Sequence, residues 1–123
     1  MAVRVEKIGD VAVVTPEGQF WGGKETDDLE NVFKELAAQG NTKAVLNLEK
    51  VDYLNSTALG VLVSAHSNYS KRGGAIKLTN LDKRVKSIFV ITKLTLVFDV
   101  CDDNKTALKA FETAGPAGSG ATA

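Results

Sequence analysis

The chain has 123 residues, and its 15 Lys and Arg against 15 Asp and Glu give a formal net charge of zero at pH 7. Hydrophobic residues at 44% and charged residues at 24% are ordinary globular values that argue against intrinsic disorder and suit one domain with one core. The balance argues against a general nucleic-acid binder, a single cysteine (Cys101) excludes a disulfide framework and a multi-cysteine zinc site, and a single histidine (His66) argues against a histidine metal cluster.

Charges interrupt Met1–Lys7 too often for a signal-peptide core, and no apolar run approaches the ~20 residues that span a bilayer. The expectation is a soluble cytoplasmic protein with a reduced thiol and no membrane span. Val3 and Val5 alternate with Arg4 and Glu6, and Val11-Ala12-Val13-Val14-Thr15 is rich in β-branched residues, with the turn signal Gly9-Asp10 between them. This predicts a hairpin of two strands, about 2–8 and 11–15, the second ending near Pro16, which cannot donate to a ladder. Gln19-Phe20-Trp21-Gly22-Gly23 reads as a loop, with Phe20 inward.

From about Lys24, Leu29, Val32, Phe33 and Leu36 form one helical stripe that Gly40 closes. Lys43 to Leu48 is a central strand, and Val51, Tyr53 and Leu54 lead into Asn55-Ser56-Thr57. A second helix runs from about Ser56 to Arg72 and stops at Gly73-Gly74; Ala75 to Leu78 is a further strand. A short third helix puts Val85, Ile88 and Phe89 on one face, Leu96 to Val100 is a strand, and Asp102-Asp103-Asn104 caps a last helix with Ala107, Leu108 and Phe111 inward. Residues 114–123 offer nothing to bury and are expected to be a disordered tail. The order ββαβαβαβα predicts an α/β domain: a mixed, largely parallel sheet of about five strands with about four helices, and functional loops where strands pass into helices.

The most informative stretch, Val51 to Leu62, crosses from a strand into a helix with hydroxyls at the junction. The free N–H groups and dipole of a helix start favour negative charge, by about 0.3–1 kcal/mol when exposed, so a phosphate on Ser56 or Thr57 is tolerated there. On this segment alone the commoner meaning of Asn-Ser-Thr before an apolar helix is an N-cap.

Residues 3–112 as a whole resemble a STAS domain of the bacterial anti-sigma factor antagonists. The resemblance is carried by the opening hairpin, the strand Ala44–Leu48, and the specific segment Val51-Asp52-Tyr53-Leu54-Asn55-Ser56-Thr57-Ala58-Leu59-Gly60. The exit Lys71-Arg72-Gly73-Gly74, Leu78-Thr79-Asn80-Leu81 with Arg84-Val85, and Ile91-Thr92-Lys93-Leu94 before Val97-Phe98 follow in order. It implies a STAS domain over 1–113 and a partner-switching protein that is not an enzyme and uses no cofactor or metal. The family motif is Asp-Ser-Ser/Thr-Gly-Leu, whose phosphoacceptor is the serine after the aspartate, here Ser56, with Thr57 as second choice. The implied partners are an anti-sigma factor with serine kinase activity and a metal-dependent serine phosphatase. Asn55, Ser56, Thr57 and Trp21 are the partner-binding candidates; for Trp21, packing under the first helix is the other reading. Asn55 stands for the usual Asp and Ala58 for the usual Gly, so a STAS scaffold or transporter subunit that binds without phosphorylation is the first alternative.

Other classes fare worse. Ser56 lacks the Gly-x-Ser-x-Gly elbow, and His66 lies about 15 Å further along the same predicted helix, out of reach as a base. A phosphoaspartate receiver gathers carboxylates at strand ends, and Glu49 and Asp52, with Asp10 and Glu17, make a poor set. Gly22-Gly23 and Gly73-Gly74 fit no phosphate-loop pattern, which leaves a small-ligand α/β domain as a distant reading. The run Lys83, Arg84, Lys86 reads as a solvated helix face, His66 as a half-buried or surface residue, and Cys101 as structural.

Overall fold

Gly9-Asp10 turns the chain back sharply, so that β1 (Val3–Ile8) and β2 (Val11–Pro16) pair antiparallel with Ile8 opposite Val11. Gly9 takes φ +63°, the left-handed conformation that the first central residue of a II′ turn requires. The computed structural model describes residues 3–113; the expected tail, 114–123, lies outside the described residues. After β2 come β3 (Gly18–Phe20), α1 (Lys24–Ala38), β4 (Lys43–Asn47), β5 (Val51–Leu54), α2 (Ser56–Lys71), β6 (Ala75–Thr79), α3 (Lys83–Ile91), β7 (Asp99–Cys101) and α4 (Asn104–Thr113). The five-stranded sheet has the order β1-β2-β4-β6-β7, parallel except for the hairpin, with β4 at its centre.

Period-two alternation sorts the side chains to two faces. Ala12, Val14, Ala44, Leu46, Ile76 and Leu78 pack under α1, α2 and α3, against Leu29, Phe33, Leu62, Tyr69, Val85 and Phe89. Val11, Val13 and Val45 meet Ala107 and Phe111 of α4 on the other face. Lys77 is buried on that second face: its ammonium bonds Asp99 at 2.7 Å and lies 4.9 Å from the centre of the Phe111 ring, so the charge is paired rather than stranded. The helix ends follow local chemistry. Asp82 caps α3 by accepting from the Val85 N–H at 2.8 Å, and Asp103 does the same for the Thr106 N–H at the start of α4.

Two expectations are corrected. Gly18–Phe20 is not a loop but a short strand, paired parallel with β5 in a separate two-stranded ribbon. Three residues are too few for a period to show, and their partner lies more than thirty positions away. The strand expected at Leu96–Val100 is displaced to Asp99–Cys101. Lys93 adopts φ +62° and opens a 3-10 turn over Leu94–Leu96, and the Phe98 N–H bonds Leu94 O at 3.0 Å instead of entering a ladder. Leu96 is therefore a solvent-facing residue, 83% exposed, while Phe98 drops into the core.

Candidate functional site

β5 delivers the chain to the start of α2, and β3 delivers Trp21 beside it. The ribbon sets this register, with Gln19 opposite Tyr53 and Phe20 opposite Leu54. Phe20 and Leu54 point inward and are buried, which leaves Gln19 and Tyr53 on the outer side. Trp21 packs its ring on Tyr53, 4.5 Å between centroids, and its indole N–H donates to Gln19 Oε1 at 3.1 Å. Trp21 is 58% exposed, so the reading that packs it under α1 is set aside in favour of a surface platform.

Asn55 holds the junction together. Its backbone N–H donates to Phe20 O at 3.0 Å, closing the ribbon. Its side-chain Oδ1 accepts the Ala58 N–H at 3.0 Å and so caps α2, while Nδ2 donates to Trp21 O at 2.7 Å. An aspartate at this position caps equally well but has no hydrogen to give Trp21, so the departure from the family motif has a structural use. The second departure is also absorbed: Ala58 is completely buried, its methyl inside the core.

The capping role thus falls to Asn55 and leaves Ser56 unemployed. Ser56 is exposed at the first position of α2, and its hydroxyl makes no hydrogen bond among the described residues. Thr57 is also exposed but lies against the Trp21-Gly22-Gly23 loop. Gly22 has φ +90°, and a methyl there would stand 3.0 Å from Thr57 Cγ2, closer than ordinary contact. The Gly22 N–H donates to Thr26 Oγ1 at 2.9 Å, which ties the same loop to α1. No negative residue lies in the first turn of α2.

The structure brings Asn55, Ser56, Thr57 and Trp21 to one end of the fold. It sets Asp10 at the opposite end of β4 from Glu49. Asp10 bonds Lys43 at the entry end of β4, at 2.8 Å, and that ammonium holds its carboxyl below the usual range. Glu49 lies past the exit end, accepting from Asn47 Nδ2 at 3.0 Å, roughly 16 Å away by strand rise. Among the described residues no group of three or more His, Cys, Asp and Glu is placed to hold a metal ion. No helix among them is long and apolar enough to cross a membrane. His66 is half-buried on α2, edge-on to Phe98 at 5.1 Å, and burial pushes the Cys101 thiol up, away from an activated thiolate. Lys83, Arg84 and Lys86 are exposed on α3, a solvated face. Sequence reasoning missed Tyr53 and Gly22 as parts of the site. Nothing in the local pattern signals either: alternation from the exposed Asp52 would turn Tyr53 inward.

Comparison with known proteins places this geometry. The sequence profile of the STAS domain matches residues 2–107. BtrV of Bordetella bronchiseptica, named among anti-sigma factor antagonists, is 28% identical over 119 residues, covering 94% of this chain and 99% of that protein. The anti-sigma-B factor antagonist of Bacillus subtilis is 40% identical over 65 residues, 53% of this chain and 59% of that one. The crystal structure of an anti-sigma factor antagonist from Thermotoga maritima shares the fold with a TM-score of 0.81 at 23% identity, over 87% of this chain and 92% of that chain.

Proposed function

The chain belongs to the STAS domain family of anti-sigma factor antagonists, and from that premise we propose that Ser56 is its phosphorylation switch. In this reading the unmodified protein is a binding module. It engages an anti-sigma factor with serine kinase activity through the surface of Asn55, Ser56, Thr57 and Trp21, and so frees a sigma factor. The kinase transfers the γ-phosphoryl of ATP to Ser56 Oγ: the new P–O bond forms, the bond to ADP breaks, and the hydroxyl proton passes to a base on the kinase. A metal-dependent serine phosphatase restores the binding form.

The observation that carries this reading is the division of labour at the helix start. Asn55 caps α2, so the exposed Ser56 hydroxyl has no structural task and is free to be modified. A phosphate there adds about −1.5 to −2 charges beside a helix N-terminus that tolerates them. Folding is retained, and the change falls on the partner surface, where burying the new charge opposes the complex. On a chain whose formal charge is zero, this is a large change in the total.

Incubation with the cognate kinase, ATP and magnesium, followed by intact mass and site mapping, tests it. The expected result is one phosphate on Ser56, absent in Ser56→Ala, with release of the partner. An unmodified Ser56 with the partner bound regardless of ATP would sink the switch in favour of a scaffold or transporter subunit, and phosphate on an aspartate would support a receiver.

A further inference from the structure

β1 ends the five-stranded sheet, and Arg4 through Ile8 are all exposed. A two-residue hairpin turn is closed by a hydrogen-bonded pair, here Ile8 and Val11. Bonded pairs then recur every second residue: Glu6 with Val13, and Arg4 with Thr15. Pro16, which has no N–H, falls opposite Val3 in the unbonded phase, consistent with this assignment. The N–H and C=O groups of Val3, Val5 and Lys7 are therefore the ones aimed away from β2, outward from the sheet edge.

Such an edge invites another strand unless something blocks it. An antiparallel partner must place outward-facing residues opposite one another. For a second copy of β1 with a two-fold axis at Val5, Val5 meets Val5 and exchanges both backbone bonds with it; Lys7 falls opposite Val3, which is only 4% exposed, so the open part of the edge is the stretch around Val5. Between them, Arg4 of each copy stands opposite Glu6 of the other. Sliding by one pleat in either direction destroys this: one slide sets Arg4 against Arg4, the other Glu6 against Glu6. Like charges directly opposite are destabilising. Val5, 40% exposed, gains an apolar contact across the axis.

We propose that β1 is a self-pairing edge, through which two copies of this chain join their sheets antiparallel about Val5. The occupant is a second copy because the charge pattern Arg4-Val5-Glu6 is complementary to itself in one register and repulsive in its neighbours. A single strand of six residues buries little surface, so the association belongs to the transient class. The candidate switch residues lie on other elements, and this inference does not depend on phosphorylation.

Sedimentation velocity on the full chain, from low micromolar to about millimolar concentration, reads the outcome. The wild type should show a concentration-dependent dimer. Arg4→Glu and Glu6→Arg should each weaken it by about tenfold or more. An equimolar mixture of the two single variants should regain it, since each then supplies the sign the other lacks, and so should the double variant R4E/E6R alone. That recovery also shows that each variant is folded. A wild type that stays monomeric throughout, a dimer that R4E leaves unchanged, or a mixture no stronger than either variant overturns the proposal.

Discussion

Asn55 ties Trp21 to the first turn of α2: its Nδ2 donates to the Trp21 carbonyl at 2.7 Å while its Oδ1 accepts the Ala58 N–H at 3.0 Å. One amide thus couples the exposed aromatic platform to the helix start that presents Ser56. Asn55→Ala removes both bonds and is expected to cost about 1–3 kcal/mol, one lost cap plus one lost bond. Asn55→Asp keeps the cap but turns a carboxylate toward the Trp21 carbonyl. It should cost less than the alanine and shift the fluorescence of Trp21, the chain's one tryptophan. Urea unfolding followed by that fluorescence checks both.

Gly22→Ala forces a side chain onto a backbone at φ +90° and a methyl to 3.0 Å from Thr57 Cγ2. A destabilisation of about 1–3 kcal/mol is expected. Thr57→Ser deletes that methyl, so the cost of Gly22→Ala should be smaller in the Thr57→Ser background, by the share due to crowding rather than to φ. A double-mutant cycle by chemical denaturation measures the share.

Gly74→Ala has no such relief. A methyl there would stand 1.8 Å from the Thr42 carbonyl oxygen, and that carbonyl is already bonded to the Ala75 N–H at 2.8 Å. The backbone must shift, and a loss of at least about 3 kcal/mol, or failure to fold, should be seen by circular dichroism and thermal melting.

Tyr69 is fully buried, donates to Phe33 O at 2.8 Å, and has its pKa pushed up from 10.0 to about 12 by that burial. The folded state keeps this proton above pH 10 while the unfolded state releases it. Tyr69 therefore contributes stability that is whole below pH 10 and is lost as pH rises toward 12, at up to ~1.4 kcal/mol per pH unit. Tyr69→Phe should be less stable at neutral pH by about 1–2 kcal/mol, since it removes the buried hydrogen bond to the Phe33 carbonyl, and should lose less stability than the wild type across that alkaline window. Denaturation at a series of alkaline pH values compares the two.

If Trp21 anchors the partner, Trp21→Ala should separate binding from stability. The ring is exposed and rests on Tyr53, so unfolding free energy should change by less than about 1 kcal/mol, whereas partner affinity should fall tenfold or more. Calorimetric titration against the anti-sigma factor beside a urea curve reads both quantities.

Whatever depended on neighbours in sequence was legible from the start. The stripe Leu29, Phe33, Leu36, the capping segments Asn55-Ser56-Thr57 and Asp102-Asp103-Asn104, the hairpin at Gly9 and the central place of Ala44–Leu48 follow from local period, capping chemistry and backbone freedom. Those are properties of short windows. Tertiary structure decided the rest. Gly18–Phe20 is a strand only because Val51–Leu54 arrives beside it. Phe98 enters the core only because Lys93 turns left-handed and swings Leu96 outward. Which of Asn55, Ser56 and Thr57 is free was also beyond the sequence, because all three are plausible caps by residue type. In the folded chain the amide of Asn55 spans from Trp21 to Ala58 and so takes the cap, while Ser56 and Thr57 are both exposed with no hydroxyl hydrogen bond among the described residues, and Thr57 lies against Gly22. Contacts between segments 34 positions apart made that choice, and no local pattern encodes them.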